Sequence, residues 1–336
     1  MYNIGIVGAT GAVGIEMIKC LFNLKIDVNE LRLGASSRSA GSKMETEFGT
    51  LTIKEVNEDF FQGLDFALFS AGGDNSKLFA QMAIDAGAIV IDNSSAFRYD
   101  EEVPLVIPDV NADAIGEAKL ISNPNCTTAI ALMALNPIYK RYGIKKMIVS
   151  TYQATSGAGA KGMDELLENT KKYFNGEKRE ANIFAHDISF NLIPHIDKFQ
   201  DNGYTKEEMK VTWETHKILG DDSILVSCTA VRIPTLRAHS ESIVIETKEK
   251  VDINEVKRLI KDAPGVDLVD DIENNIYPMP LNATNKYNVE VGRIRKSLVF
   301  GDYGIELFVS GDQLLRGAAL NAVEILREII NKKSKS

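Results

Sequence analysis

Short apolar runs rich in β-branched residues recur through the first third of the chain: Ile4–Val7, Leu31–Ala35, Asp65–Ser70, Ala88–Asp92 and Lys119–Ser122. Helix-like stretches lie between them. In Ser76–Ala86, for example, Leu78, Phe79, Met82, Ala83 and Ala86 recur at the spacing of one helix face. Strands alternating with such helices predict a parallel sheet covered on both faces.

The pattern changes near residue 126. Ala129–Tyr139 reads as one apolar helix, and longer strand candidates follow at Lys146–Gln153, Ile224–Ile233, Ser242–Thr247 and Ile305–Ser310. Charged helical or irregular segments separate them, which predicts a mixed α+β second domain. Near the end, Leu314, Leu315, Ala318, Ala319, Ala322, Val323, Leu326 and Ile330 form a broad apolar helix face that must be buried. The reading is therefore a first domain over 1–125 completed by a returning helix over 313–331, with a second domain over 126–312. The charged segment Lys171–Asn191 reads as an excursion at a surface or interface, and the polar tail Asn331–Ser336 as a fraying end.

Composition adds bounds. The 336 residues exceed what one core usually organises, and 44% hydrophobic with 25% charged residues is ordinary for a globular protein. A balance of 38 basic against 47 acidic side chains, net −9, argues against nucleic acid or an anionic membrane as partner. The opening MYNIGIVGATG enters a strand directly, and no apolar run approaches a membrane span. Cys20, Cys126 and Cys228 are too few and scattered for a disulfide framework or a Cys-rich zinc site, so no metal is implied. A reducing cytoplasm is the simplest compartment.

Gly8-Ala9-Thr10-Gly11-Ala12-Val13-Gly14 joins the first strand to a helix running through Ile15, Ile18, Leu21 and Phe22. Glycines let the backbone approach a pyrophosphate, and the helix start offers free N–H groups. The spacing departs from the dinucleotide fingerprint G-x-G-x-x-G, and the same glycines would also serve a plain strand-to-helix turn. At the end of the second strand stands Ser36-Ser37-Arg38-Ser39, with no acid for ribose hydroxyls. Hydroxyls with a guanidinium suit a 2′-phosphate, which favours NADP over NAD.

Cys126 lies in the polar turn Ser122-Asn123-Pro124-Asn125-Cys126-Thr127-Thr128, ahead of the apolar helix. A cysteine at a helix start has its thiolate stabilised by unpaired N–H groups, and the same groups can receive an oxyanion. Cys20 and Cys228 sit in apolar elements and read as inert core residues. For an acid/base, the histidines are His186, His195, His216 and His239; His239 follows a strand in Arg232–Ser240, but spacing alone does not select it. Gln153 ends another strand before a glycine-rich loop and is a candidate for orienting a substrate.

Over essentially the whole chain these pieces resemble the aspartate-semialdehyde dehydrogenase family: Gly8–Gly14, Ser36–Ser39, Asn93-Ser94-Ser95-Ala96-Phe97-Arg98, Ser122–Thr128, Gln153–Gly159, Glu207-Glu208-Met209-Lys210 and Arg232–His239. The resemblance implies a Rossmann-type NADP-binding domain and a mixed α+β catalytic and dimerisation domain, assembled as a homodimer. It implies Cys126 as a nucleophile forming a thioester, His239 as acid/base and Gln153 as the group orienting the acyl intermediate. Arg98, Asn125 and Lys210 resemble the phosphate site, Arg232 the clamp for the substrate carboxylate, and Glu207 the partner of its amino group. Cofactor contacts are implied at Gly8, Thr10, Gly11, Ala12, Val13, Gly14, Ser36, Ser37, Arg38, Ser39, Ser70, Ala71, Gly72, Ser156, Gly157, Gly159 and Asn321. The implied reaction is reversible reduction of L-4-aspartyl phosphate to L-aspartate 4-semialdehyde and phosphate.

Without the resemblance, Glu207 and Lys210 would pass as an i, i+3 ion pair on a helix surface. Two rival readings remain at this stage. One is an N-acetyl-γ-glutamyl-phosphate reductase, which shares the thiol chemistry but takes an acylated amino group. The other is a non-catalytic dinucleotide-binding regulator.

Overall fold

The structure is a computed structural model that describes residues 1–334. The chain divides into two compact units, Met1–Asn125 with the chain from Ala318 onward, and Cys126–Gly317.

The first unit runs β1 (Tyr2–Val7), α1 (Ala12–Asn23), β2 (Val28–Ala35), β3 (Lys43–Thr46), β4 (Gly49–Glu55), α2 (Glu58–Phe61), β5 (Phe66–Phe69), α3 (Gly73–Asp85), β6 (Ile89–Asp92), α4 (Pro108–Asn111) and β7 (Leu120–Ser122), and ends in a C-terminal helix, Leu320–Lys333. Its seven strands lie in the order β3-β4-β2-β1-β5-β6-β7, parallel throughout except for the β3–β4 hairpin. All four residues of β5 and of β6 are buried, as a sheet covered on both faces requires. Phe60, Phe61 and Leu64 pack with Ala80 and Ala83 of α3 on one face. Gly5 and Gly34 belong to that face, because a Cβ at either would stand 2.5 or 2.7 Å from Leu64 or Phe60. The C-terminal helix packs against α1 and β6.

Two details depart from the sequence pattern. The buried stripe of α3 is Ser76, Ala80 and Ala83, while Leu78 is 56% exposed. Small residues let this helix lie close on the sheet, and the buried Ser76 hydroxyl donates to the Asp92 carboxylate at 2.7 Å. The β3–β4 hairpin has no apolar run to announce it, since its residues are largely exposed. A turn makes it instead: Gly49 takes φ +94° and its carbonyl accepts from the Thr46 hydroxyl at 2.7 Å.

The second unit runs α5 (Cys126–Tyr142), β8 (Ile144–Gln153), α6 (Ala160–Phe174), α7 (Lys206–Leu219), β9 (Leu225–Arg232), β10 (His239–Thr247), α8 (Ile253–Asp262), β11 (Val266–Leu268), α9 (Pro280–Ala283), β12 (Val289–Lys296) and β13 (Gly304–Gly311). The six strands are ordered β11-β12-β13-β10-β8-β9, with β11–β12 and β8–β9 parallel and the remaining pairs antiparallel. Strand β8 alternates buried Met147, Val149, Thr151 and Gln153 with exposed Ile148 and Tyr152. Helices α5 and α8 pack against this sheet and against each other, and α7 packs on β9.

Here too the boundaries shift for physical reasons. Helix α5 begins on Cys126 itself, three residues ahead of its apolar run, and β10 begins on His239 rather than Ser242. The last apolar face is not one helix from residue 313. A π-helical turn over Leu315–Ala319 precedes the C-terminal helix, and the first unit resumes only at Ala318. The Asp312 carboxylate stands at the start of this turn and accepts from the Leu314 and Leu315 N–H groups at 3.0 and 3.2 Å. The helix continues to Lys333, so the frayed tail expected from Asn331 does not begin there; Lys335 and Ser336 lie outside the described residues. Among the described residues, no helix is long and apolar enough to cross a membrane.

Candidate active site

In the first unit, the glycine loop closes as steric necessity dictates. Gly8 has φ +88°, and a Cβ there would meet the Ser70 carbonyl oxygen at 2.5 Å. At Gly14 a Cβ would lie 2.3 Å from the Gly8 carbonyl oxygen. Gly11 is the N-cap of α1, whose first turn contains Ala12, Val13 and Gly14. These contacts hold the strand end against the helix start, where the unpaired N–H groups of α1 favour an anion. Gly72, with φ +84°, caps α3 in the same way.

Beside this loop is a cavity of about 430 Å³ lined by Gly8, Thr10, Ser36, Ser37, Arg38, Glu55, Ala71 and Asn75 among others. The Ser36 and Ser37 hydroxyls and the Arg38 guanidinium thus line one cavity with Gly8 and Thr10 of the glycine loop, a donor set that fits a phosphorylated dinucleotide, whereas Ser39 and Gly11–Gly14 are not part of its lining. The turn is locked by Ser39 N–H donating to the Ser36 carbonyl at 2.9 Å. Glu55 escapes the sequence reading because β4 itself does; the pairing of Ala35 with Glu55 carries this acid to the cavity rim. Asn321 is fully buried, and its amide donates to Asn123 Oδ1 at 2.6 Å and to the Val106 carbonyl at 2.9 Å. Arg98 is also buried in this unit, donating to the Asn93 carbonyl at 2.7 Å, and buried Asn125 is its last residue before Cys126.

In the second unit, strand ends and one helix bring the remaining candidates together. Thr205 starts α7 with a capping box: its hydroxyl accepts from Glu208 N–H at 3.3 Å, and the Glu208 carboxylate accepts from Thr205 N–H at 2.6 Å. That cap places Glu207 in the first turn with Lys210 one turn later. Lys210 Nζ donates to Glu207 Oε2 and to Asp197 Oδ2, each at 2.9 Å. Burial works against the Lys210 ammonium, but the two carboxylates outweigh it and hold its pKa above the ordinary lysine value. The pair is no surface decoration, since Glu207 is 6% exposed and its Oε1 accepts from Gln153 Nε2 at 3.2 Å. Gln153 is oriented in turn by the Thr151 hydroxyl, which donates to its Oε1 at 2.9 Å from the same face of β8.

Arg232, at the end of β9, is buried and donates from Nη1 to the Ala154 carbonyl at 2.6 Å. Burial lowers its pKa, while the charges of Glu207 and Cys126 pull it back up, which places both near the guanidinium. Phe184 lies under that guanidinium, 5.6 Å from ring centroid to charge. This gives the segment Lys171–Asn191 a part in the site. It is held by Glu165 of α6, whose carboxylate accepts from the N–H groups of Asn182 and Ile183 at 2.8 and 2.7 Å.

His239 is fully buried, and its Nδ1 accepts from Ala154 N–H at 3.0 Å. In the neutral ring the proton therefore sits on Nε2, a buried atom with no hydrogen-bond partner among the described residues. Burial first, then the Arg232 charge, push the imidazole down to about 3. Gly157 explains how the two groups stand so close to the loop: a Cβ there would lie 2.7 Å from Arg232 Nη1 and 3.4 Å from His239 Nε2. Ser156 accepts a hydrogen bond from the Gln313 amide, and Gly159, with φ +76°, opens α6.

Cys126 is the first residue of α5 and is partly accessible, whereas Cys20 and Cys228 are buried. Burial pushes the Cys228 thiol upward, so it stays protonated and inert. Four residues that serve this set were invisible in sequence: Asp197, Phe184, Glu165 and Gln313. Thr151 alone had a signal, lying two positions before Gln153 on a strand. Among the described residues, no group of acids, histidines and cysteines could hold a metal ion.

Glu241 follows His239 on the buried face of β10, and neither carboxylate oxygen has a partner among the described residues. Burial raises its pKa well above the ordinary value of 4.5, so the fold prefers the protonated form. The unfolded chain ionises first; folding stability is therefore full below about pH 4.5 and falls by about 1.4 kcal/mol per pH unit above it, until the folded pKa is passed. Glu241→Gln should remove this slope, giving a urea midpoint that exceeds the parent's at pH 8 and matches it near pH 4. Parallel pH dependences of the two midpoints would refute the assignment.

A nucleotide cradle in one unit, and a helix-start thiol with a histidine, an arginine and an amide in the other, define the class of nucleotide-dependent dehydrogenases. Residues 3–118 match the family model for the semialdehyde dehydrogenase NAD binding domain, and residues 135–316 that for the semialdehyde dehydrogenase dimerisation domain. The aspartate-semialdehyde dehydrogenase of Aquifex aeolicus is 47% identical over 336 residues, covering 98% of both chains. That of Bacillus subtilis is also 47% identical, covering 97% of both. The crystal structure of aspartate semialdehyde dehydrogenase II complexed with ASA from Vibrio cholerae superposes with a TM-score of 0.95 at 42% identity, covering 98% of each chain. The chain belongs to the aspartate-semialdehyde dehydrogenase family, and it is an oxidoreductase.

Proposed function

We propose that this enzyme reduces L-4-aspartyl phosphate to L-aspartate 4-semialdehyde and phosphate, reversibly, through a thioester on Cys126, as a step of amino-acid biosynthesis. The observation that carries the reading is the cluster in the second unit. There Arg232 offers a planar fork for a carboxylate, the Glu207 carboxylate suits an ammonium, and both are tied to Gln153 and the Ala154 backbone. A free amino group next to a carboxylate is what this pair fits. An N-acetylated substrate would leave Glu207 facing an amide, so the rival reductase is disfavoured, as it is by the names of the relatives. A non-catalytic regulator would have no need of the complete set Cys126, Gln153, Arg232 and His239.

The Cys126 thiolate, stabilised by the start of α5 and the Arg232 charge, attacks the acyl carbon. The carbon–oxygen bond to phosphate breaks and phosphate leaves with the electron pair; Arg98, Asn125 and Lys210 are the groups that the family resemblance assigns to it. The nicotinamide cofactor, held by the Gly8–Gly14 loop and the Ser36–Ser39 turn, supplies a hydride when bound. The resulting hemithioacetal oxyanion collapses to aldehyde and releases the thiolate, so no net proton is consumed at that oxygen. His239 need only donate a hydrogen bond from Nε2, which its neutral state allows. The one proton that the overall reaction consumes ends on the departing phosphate, so we assign His239 the donor role in place of the acid/base role expected from sequence.

Phosphate-dependent NADP reduction with L-aspartate semialdehyde tests the reading. Faster turnover of N-acetylglutamate semialdehyde, or none of either, would overturn it. For the cofactor, Arg38→Ala should weaken NADP by about 10-fold or more while altering NAD little, because a charge-assisted contact to a 2′-phosphate exists only in NADP. Equal losses for both dinucleotides, measured by fluorescence titration, would remove the preference. A homodimer built through the second unit, with exposed Ile148 and Tyr152 on the outer face of β8, and a reducing cytoplasmic setting for the thiol complete the proposal.

A further inference from the structure

Asp312 has no part in the chemistry described so far, yet it is fully buried and heavily bonded. It directly follows β13. Its Oδ2 accepts from Arg237 Nε at 2.6 Å and from Asn285 N–H at 2.7 Å, and its Oδ1 from the N–H groups of Leu314 and Leu315 at 3.0 and 3.2 Å. Its backbone carbonyl accepts from Gly317 N–H at 3.3 Å.

These bonds reach both reactive side chains. Arg237 adjoins Ala238, a buried residue held at φ +68°, a conformation that costs energy for any residue with a side chain. The amide of the next residue, Gln313, fixes Ala238 as well, its Oε1 accepting from Ala238 N–H at 2.8 Å. Ala238 in turn sets the position of His239. At the other end, Gly317 lies against the nucleophile: a Cβ on it would stand 2.5 Å from Cys126 Cβ and 3.0 Å from its Cα.

We propose that Asp312 is a positioning residue that holds His239 and Cys126 in mutual register, through Arg237 on one side and the Leu314–Gly317 turn on the other. The inference rests on the reading in which those two residues carry the chemistry. An asparagine at 312 keeps the shape but offers one oxygen where two are used. Its amide would turn N–H donors either on Arg237 and Asn285 or on Leu314 and Leu315, all of which are donors themselves. Displacement of a reacting group by about 1 Å costs about 100-fold in rate, so a loss of that order is expected in kcat.

The test compares Asp312→Asn with the parent enzyme by kcat, by KM for L-aspartate semialdehyde, by NADPH binding, and by the rate at which iodoacetamide alkylates Cys126. The expected result is a folded variant with about 100-fold lower kcat, KM and NADPH binding near the parent's, and an altered alkylation rate. A folded variant with parental kcat and parental alkylation overturns the proposal. Should Asp312→Asn fail to fold, Arg237→Gln and Arg237→Lys take its place: the lysine variant should recover part of the kcat that the glutamine variant loses, and parental kcat in both overturns the proposal. Retained activity in Cys126→Ala would instead sink the underlying reading, so the two failures are distinguishable.

Discussion

Cys126→Ala lowers phosphate-dependent turnover by at least about 10⁴-fold, the loss typical when a covalent nucleophile is removed, and leaves NADPH affinity unchanged. The two halves of this expectation have separate origins. The rate falls because nothing else in the second unit can form the thioester: the other thiols are buried, and burial keeps Cys228 protonated. The affinity holds because the glycine loop and its cavity are built wholly from residues of the first unit. Stopped-flow turnover and fluorescence titration on one preparation check both. A variant that loses NADPH binding along with turnover would make Cys126 a structural residue, and a variant that still turns over would end the thioester mechanism.

His239→Ala is the second large effect. Removing one preorganised donor to an oxyanion costs about 10²- to 10³-fold in kcat, and His239 Nε2 is the buried donor left without a partner in the described residues. The pH dependence carries a more specific signature. With its imidazole pushed down to about 3, His239 stays neutral across the usual assay range, so the parent's kcat profile should show no inflection belonging to this histidine near pH 6.5. The same shift acts on stability. The unfolded chain binds the proton that the folded ring refuses, so His239 withdraws stability as pH falls from about 6.5 toward 3. His239→Ala should therefore flatten acid unfolding in that window while lowering kcat. An inflection near pH 6.5 that vanishes in the variant would restore general acid/base catalysis by His239 and defeat the donor role.

Much of the candidate site was legible in the chain because its proposed parts sit where secondary structure changes. Such junctions announce themselves by glycines, polar turns and interrupted apolar runs. Gly8 and Gly14, the turn at Cys126, and the strand ends at Gln153 and Arg232 are all of this kind. Glu207 and Lys210 were harder. Their spacing is that of an ordinary surface pair, and only burial against Gln153 and Asp197 separates the two meanings. Asp197, Phe184 and Glu55 gave no signal at all, since each reaches its site from a loop or an exposed strand whose local pattern is ordinary.

What the sequence determined by itself is the alternation of strands and helices, the division near residue 126, the glycine loop between β1 and α1 and a thiol at a helix start. Those features depend on local sterics, periodicity and helix-end chemistry, which neighbouring residues specify among themselves. Tertiary structure alone decided which nitrogen of His239 carries the proton, that burial raises the pKa of Glu241, that the last helix opens with a π-helical turn, and that Asp312 bonds to groups on either side of it. Each of these depends on which donors and charges from distant positions meet in a buried space. No periodicity records such meetings, because burial sets the energy of a proton or a carboxylate and the whole fold sets the burial.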